Sequence, residues 1–534
     1  MASLLGRSKH LPPGPPGLPI LGNLTQIPST EQWVWFYNLS KKYGPVNTLH
    51  VLKTTIIVLN SHESIDALFN KKAAQYSSKP PRRMANLSDL TMTLPFMDPG
   101  EDFSTARKQF HEEVGATAVG AYNKEYEQSS RRFLRTLASD LQCSKLTEVI
   151  DDSLGHLFLK VSTGYEPKPT DTILAQMNNL AHFAADVLGD KYQKLDIMPF
   201  LCSLPTWAPV AGPMLKLGAK WKKQLHATAD ATVQLAKEGK MAGNDSVMFN
   251  LSAASGEKPM DDRSKMIAVT MNAGTSGRPA SLHGRGRADV DLAFKRAQAE
   301  VDALLGGKRL PTMADRQALP YVDAVLSEVL RWVSIAPVIA REVTEDDHYN
   351  GYLIPKGATI MANNWAISRD ESIFPEPEAF RPERFLNDAG TGLRKDILPP
   401  MEFAFGFGHR TCPGRYLADA LLFSHLAYVL AVFDVSLPPA AEKAKRAADE
   451  RMKVMSNGAA CRVEDVYVTL SFRSDAAAEL LRQADSAPAS ANSTTDGNAN
   501  GTANGNAMPV PKGSPNGDAT PVPNGTPNGA ANSH

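Results

Sequence analysis

Ten residues, 405–414, constrain this chain more than any other stretch. They read Phe-Gly-Phe-Gly-His-Arg-Thr-Cys-Pro-Gly. The glycines permit backbone geometry that is closed to other residues, and they allow a flat ligand to approach closely. Cys412 precedes a predicted helix, where backbone amides, the helix dipole and the nearby charge of Arg410 stabilise a thiolate. The run therefore predicts a thiolate ligand for iron; the alternative is a buried cysteine in a glycine-rich turn.

Apolar periodicity predicts a mainly α-helical fold with small β-sheets at its side. Helical spacing of apolar residues predicts one helix over residues 318–332 and another over residues 415–433. Runs rich in β-formers predict strands within residues 46–59 and 351–361, the second with a turn at 354–357.

Composition excludes several classes of protein. The 534 residues include 57 Lys+Arg and 57 Asp+Glu, so the zero net charge gives no global attraction to nucleic acid. Four scattered cysteines without a Cys-x-x-Cys pair argue against a disulfide scaffold and against a zinc ribbon. With 43% apolar residues the chain is able to bury a large core.

Composition also divides the chain into three parts. Residues 1–10 form a short segment without an apolar stretch long enough for a signal peptide or a membrane span. A Pro/Gly-rich lead-in then opens a domain predicted to cover residues 11–474. Residues 475–534 are a C-terminal extension, and from about residue 486 it has no aromatic residue and repeats Asn-Gly, which predicts disorder.

The run at 405–414 resembles the haem-binding loop Phe-x-x-Gly-x-Arg-x-Cys-x-Gly of the cytochrome P-450 family at every fixed position. The resemblance implies haem b as cofactor, with Cys412 as the axial iron ligand and Arg410 as partner of a haem propionate. It assigns Phe405 and Gly414 to the same cofactor-binding loop. It also implies the cytochrome P-450 fold, with haem between a long central helix and the helix after the cysteine loop.

Further residues match the family outside this loop. Glu328 and Arg331 share a helical face, and the resemblance implies that they form a buried structural triad with Arg384. The alternative is an ordinary surface ion pair. Arg341 resembles a strand residue that reaches a haem propionate, the alternative being a solvated arginine. Arg107 alone survives of the family's Trp-Arg-x-x-Arg helix, so one propionate anchor is expected to be missing.

The resemblance implies a haem-thiolate monooxygenase that inserts one atom of O₂ into a small hydrophobic organic substrate, a secondary metabolite or a foreign compound. Electrons are expected from an NADPH-dependent flavoprotein reductase, because the chain carries no flavin or dinucleotide fingerprint of its own. The segment 310–312 is similar to fungal members near O-methylsterigmatocystin oxidoreductase. The resemblance implies the cytosolic face of the endoplasmic reticulum; because residues 1–10 show no anchor, the cytosol is the alternative.

The central helix departs from the family pattern. Members carry Ala-Gly-x-(Asp/Glu)-Thr there, and its acid and hydroxyl deliver protons during O₂ activation. This chain keeps Ala273, Gly274 and Thr275, a remnant of the oxygen-activation motif, but places Ser276 and Gly277 where the acid and threonine are expected. Two alternatives therefore stay open: an O₂-independent haem-thiolate isomerase or dehydratase, and a catalytically impaired haem-binding pseudoenzyme.

We predict that residues 276–294 are encoded by a misread frame, through a misplaced intron boundary or an indel. Family-like sequence stops after Thr275 and resumes at Lys295, and the Arg/Gly-rich stretch between them has no helical period. The alternative is a degenerate helix in a diverged copy. Sequencing of the transcript across codons 260–300 should show a different reading. A transcript that encodes Arg278 and Pro279, with well-coupled oxygenation by its product, would contradict the prediction.

Overall fold

The computed structural model describes most of residues 10–486. The described residues are 10–168, 171–189, 191–244, 246–248, 250, 265–266, 270, 287–436, 454–456, 461–463 and 468–486. Their α-helices are, in chain order, α1 Gln32–Tyr43, α2 His62–Ile65, α3 Arg83–Leu87, α4 Glu101–Val114, α5 Asn123–Ser139, α6 Leu146–Thr163, α7 Ile173–Leu188, α8 Gln193–Ile197, α9 Ala211–Met241, α10 Arg287–Leu305, α11 Pro320–Trp332, α12 Asn364–Ser368, α13 Arg415–Val432 and α14 Asp475–Ser486.

Short helical turns connect these elements. A π-helical turn covers Asp66–Asn70, and the 3₁₀ turns are Leu90–Met92, Val119–Tyr122, Pro199–Ser203, Met313–Ala318, Pro382–Phe385, Pro400–Glu402 and Gly408–Arg410. The helices predicted at 318–332 and 415–433 are confirmed as α11 and α13, each to within two residues. A mainly α-helical fold is therefore what the apolar periodicity predicted.

The strands form small sheets, as predicted. They are β1 Val46–Val51, β2 Thr54–Leu59, β3 Val338–Glu342, β4 Asp347–Tyr349, β5 Tyr352–Ile354, β6 Thr359–Asn363, β7 Phe433–Ser436, β8 Val454–Ser456, β9 Cys461–Val463 and β10 Thr469–Phe472. The main sheet has the order β1-β2-β6-β3. Its first two strands form an antiparallel hairpin, β6 pairs parallel to β2, and β3 runs antiparallel to β6. This order brings the early hairpin against residues that follow α11.

Helix α13 is the centre of the packing. Leu417 and Leu421 pack in a cluster with Phe103 and other α4 residues, while Phe423 packs with α10 and α11. A helix that is apolar on all sides is normally buried in a protein core. Among the described residues this is the one helix long and apolar enough to cross a membrane, but half of that stretch is buried in the protein. Its place between two clusters identifies it as a core helix.

Helix α10 overlaps the end of the stretch predicted to be misread. It begins at Arg287, inside the stretch predicted to be misread as far as Phe294. Val290 and Ala293 are both buried in the cluster that contains Leu305 and the α11 side chains. The described residues from Asp289 onward therefore form a core helix, although the stretch predicted to be misread includes residues as far as 294.

The compact unit of the chain extends to Ser486. Helix α14, the first part of the predicted extension, buries Ala477 and Leu481, and Leu481 joins a cluster with Leu134 of α5 and Tyr428 of α13. Residues 487–534, for which the sequence predicts disorder, lie outside the described residues. So do the N-terminal residues 1–9.

Candidate active site

The loop at 405–414 folds back on itself in front of α13. The Cys412 backbone N–H donates to the Phe405 carbonyl at 2.7 Å, and Gly414 is the N-cap of the helix. Gly408 has a φ of 55°, and a Cβ there would lie 2.0 Å from the Phe69 carbonyl oxygen. Only glycine fits this position, since any side chain would displace the Phe69 backbone. The sequence thus shapes a tight loop that ends at the helix start.

Cys412 lines a cavity of about 950 Å³, and its side chain is exposed to that space although protein atoms surround it. Phe405, Gly406, Arg410 and Gly414 from the same loop also line it. Burial raises the pKa of the Cys412 thiol, while the Gly414 backbone N–H and nearby positive charges act in the opposite direction. A thiol enclosed in this way loses its proton most readily when a soft metal ion takes the sulfur as ligand.

A positively charged wall adjoins the thiol in the same cavity. We define the cationic wall as Lys79, Arg341 and Arg410, all of which line the cavity. Arg341 is only 5% exposed and donates to the Ala340 carbonyl, whereas the Lys79 ammonium donates to the Pro95 carbonyl. None of the three forms an ion pair with another described residue. The cavity therefore presents buried positive charge without a carboxylate bonded to it.

Arg410 carries a buried donor that the described residues do not pair. Its Nε donates to the Ser77 carbonyl at 2.8 Å, and Nη1 lies 3.5 Å from the Leu94 carbonyl. Nη2 is buried and has no hydrogen-bond partner among the described residues. An unpaired buried donor is costly, so it indicates a group that the protein itself does not supply.

Burial and mutual repulsion lower the pKa values of the residues in the cationic wall. Burial, with the nearby Arg341 and Arg410 guanidiniums, lowers the pKa of Lys79 well below its ordinary value. The pKa of Arg341 is lowered by burial and by the charge of Arg410, although a guanidinium stays protonated in proteins. A bound dianion would reverse both shifts, because opposite charge favours the charged form of each cation.

Arg107, which the family resemblance assigns to cofactor binding, contacts the cysteine loop. Its guanidinium donates to the Thr411 carbonyl in the loop before the cysteine, and Arg107 is not among the described cavity-lining residues. Burial lowers the pKa of Arg107, and Cys412 acts against that shift. The structure thus places Arg107 as a support between α4 and the cysteine loop, next to the thiol.

Glu328, Arg331 and Arg384 meet away from this wall, in the core. Arg331 and Glu328 form a bidentate pair with N–O distances of 2.7 and 2.8 Å, and both side chains are fully buried. Arg384 Nε lies 3.3 Å from Glu328 Oε1. Two further bonds run from Arg331 Nη1 to the carbonyls of Ser368 and Pro377. The network ties α11 to the segment 368–384 and has no contact with the thiol.

The remaining cavity surface is largely apolar. It includes three alanines of α7, Ala181, Ala184 and Ala185, together with Phe96 and Ile335. Small and apolar side chains leave space for a hydrophobic molecule and exclude water from it. This face of the cavity suits an organic substrate, whereas the cationic wall suits an acid.

The central-helix residues Ala273, Gly274 and Thr275 lie outside the described residues. Thr270, a few residues before them, lines the cavity and is buried. Its hydroxyl donates to the Met266 carbonyl at 2.7 Å and accepts from the Leu94 N–H at 3.3 Å. Helical spacing from Gly274 could have identified it, because residues four apart share a helix face.

Lys79 is the second cavity residue that sequence reasoning missed. It stands in a Ser-Ser-Lys-Pro stretch with no motif around it. Only the tertiary fold brings it beside Arg341 of β3 and Arg410 of the cysteine loop. A lone lysine is normally a solvated surface residue, so the sequence held no signal for this one.

The thiol, the glycine-rich loop and the unpaired cations fit an iron porphyrin with acidic side groups. A family comparison agrees: the Cytochrome P450 family model matches residues 12–276 and 292–458. The chain therefore belongs to the cytochrome P450 family. It is an oxidoreductase of the monooxygenase type with a haem iron cofactor, as the sequence predicted.

Curated relatives are fungal. The chain is 34% identical over 450 residues to cytochrome P450 monooxygenase COX2 of Coprinopsis cinerea, covering 81% of this chain and 84% of the relative. It is 32% identical over 503 residues to cytochrome P450 monooxygenase claR of Ampulloclitocybe clavipes, covering 90% of each. Cytochrome P450 monooxygenase ppsD of Aspergillus oryzae is 30% identical, with 80% and 83% covered.

Breaking the buried triad should prevent stable folding. Removing Glu328 or Arg331 by substitution with alanine leaves its partner charged and buried, at a cost of about 3–5 kcal/mol. We expect both variants to fail to accumulate as folded, haem-loaded protein, measured by haem content and thermal melting. Lys145 and Glu148 are a matched control, since they form an exposed pair at the same i,i+3 spacing. Alanine there should change stability by less than about 1 kcal/mol.

Lys79→Met should have opposite effects on the protein with and without an acidic ligand. Loss of the charged hydrogen bond that Lys79 would donate to a haem propionate should speed haem loss about tenfold. In haem-free protein the lowered pKa means that the unfolded chain binds the proton more tightly. The free energy of unfolding should therefore rise as the pH increases toward about 10, the ordinary pKa of lysine, and Lys79→Met should flatten that rise. Exposed Lys108 on α4 is the control; haem loss unchanged by Lys79→Met would contradict the assignment.

Proposed function

We propose that this protein is a haem-thiolate monooxygenase that inserts one oxygen atom of O₂ into a C–H or C=C bond of a hydrophobic organic compound. The second oxygen atom leaves as water, and an NADPH-dependent flavoprotein reductase supplies two electrons. The observation that carries the proposal is the shared cavity, in which the Cys412 thiol, the cationic wall and an apolar face lie together. Secondary metabolites and foreign aromatic compounds are the proposed substrates.

Each part of the cavity has its own task. Haem iron held by a cysteine thiolate supplies O₂ activation when bound. Cys412 would hold the iron, and Arg107 keeps the thiol's loop in place through the Thr411 carbonyl. Lys79, Arg341 and Arg410 would hold the propionates. The α7 alanines and Ile335 would orient the substrate and keep water away from it.

The missing acid and threonine at Ser276 and Gly277 favour a second candidate, an O₂-independent isomerase or dehydratase. Such chemistry needs the thiolate but no proton delivery to O₂. Turnover of a hydroperoxide substrate without reductase would support it. Purified protein that holds haem but neither oxygenates nor rearranges substrates would support the impaired haem-binding alternative.

Replacing the thiol tests the assigned ligand. The reduced carbon monoxide complex of the wild type should show the spectrum of a thiolate-ligated haem, and Cys412→Ala should lose it. Cys202→Ala is the control, because Cys202 is half-buried and belongs to an apolar cluster away from the loop. A histidine-like spectrum in the wild type, or an unchanged spectrum in Cys412→Ala, would overturn the iron ligand.

For localisation we propose the cytosolic surface of the endoplasmic reticulum, reached by peripheral contact. Residues 197–215 form an uncharged run that contains four prolines. Large apolar side chains in it are exposed: Phe200 is 61%, Trp207 80% and Val210 58% exposed. Lysines on α9 follow this patch and are exposed, among them Lys216 and Lys220. Apolar side chains beside basic ones suit an anionic lipid surface.

Vesicle binding tests this location. Phe200→Ser combined with Trp207→Ser should weaken binding to phosphatidylserine-containing vesicles at least about tenfold. The reason is that the two large apolar side chains that would enter the lipid are removed. Met241→Ser with Leu292→Ser is the matched control, since those side chains are 88% and 61% exposed elsewhere. Equal binding by both double variants would contradict the proposal that this patch contacts the membrane.

A further inference from the structure

The Arg410 guanidinium lies over the face of a phenylalanine ring. Its central carbon is 3.9 Å from the ring centroid of Phe103, which is close for a stacked cation. Phe103 belongs to the first turn of α4 and is 5% exposed. A phenyl ring has no polar atom, so Phe103 attracts the Arg410 guanidinium through the face of its ring.

The Phe103 ring restricts the rotation of the Arg410 guanidinium, which its hydrogen bonds leave possible. Nε is held by the Ser77 carbonyl at 2.8 Å, whereas the contact of Nη1 with the Leu94 carbonyl is long, at 3.5 Å. One short bond does not prevent the planar group from rotating about it. Stacking on Phe103 fixes the plane, and Nη2 is then the donor without a partner among the described residues.

We propose that Phe103 is a positioning residue for the cofactor: its ring holds the Arg410 guanidinium in the orientation that binds a haem carboxylate. The inference rests on the proposed haem-thiolate function. Phe103 contributes to haem retention through Arg410, and it takes no part in binding the iron or in the reaction.

Haem loss to excess apomyoglobin tests the proposal. Phe103→Leu keeps the apolar volume but removes the ring face, and it should raise the rate of haem loss between threefold and thirtyfold, the range of cation–π energies. Phe103→Tyr keeps the ring face and should restore the wild-type rate. Phe133→Leu is the control: Phe133 is similarly buried in a different cluster, so its loss lowers stability but leaves haem loss within about twofold.

A double-mutant cycle shows whether Phe103 acts through Arg410. In an Arg410→Gln background, Phe103→Leu should change haem loss by less than about twofold. An effect that persists in full there, or a Phe103→Leu variant that loses haem like the wild type, would overturn the inference.

The same cycle separates this inference from the proposed function. Should purified wild-type protein hold no haem, the proposed function fails. The cycle is then measured by thermal unfolding of that protein: non-additive changes for Phe103→Leu and Arg410→Gln support the stacked pair, and additive changes overturn it.

Discussion

Buried positive charge beside a thiol is the constraint on which the rest of this structure depends. Lys79, Arg341 and Arg410 come from three distant parts of the chain and meet at one cavity. Bringing unpaired cations together costs free energy, and an anionic ligand that joins them offsets that cost. A porphyrin with two carboxylates and an iron atom satisfies the cations and the thiol together. The fold and its cofactor are therefore coupled, as in other proteins that assemble around a metal group.

The chain uses buried arginine in two ways that differ in their partners. Arg331 makes a bidentate pair with Glu328 and donates to backbone carbonyls, so its charge is satisfied by the protein. Arg410 has one short bond and an unpaired nitrogen, so its charge is satisfied only in part. Complete pairing is what a structural network needs. Incomplete pairing is what a ligand site needs, and the two arginines differ in function for this reason.

The sequence predicted those parts that depend on local pattern. Apolar spacing located α11 and α13, and the fixed positions around Cys412 identified the loop, because both signals lie within a few residues. The sequence did not predict that Lys79 lies beside Arg341 and Arg410, or that the Phe103 ring lies under Arg410. Both contacts join residues hundreds of positions apart. Arg107 shows the intermediate case: its residue type matched a pattern, but its donor reaches the Thr411 carbonyl in this fold.

The departure from the family pattern after Thr275 is confined to one contiguous stretch of sequence, and that confinement bears on its origin. The family match ends at residue 276 and resumes at 292, and α10 already packs Val290 in the core. After the gap two demanding positions are intact: Gly408, where no side chain fits, and the fully buried Glu328. In a copy that drifts without a function, changes would reach such positions too and would be scattered, because no selection removes the changes that cost the most stability. A gap in the family match that is limited to one short run is the pattern that a local shift of reading frame would produce.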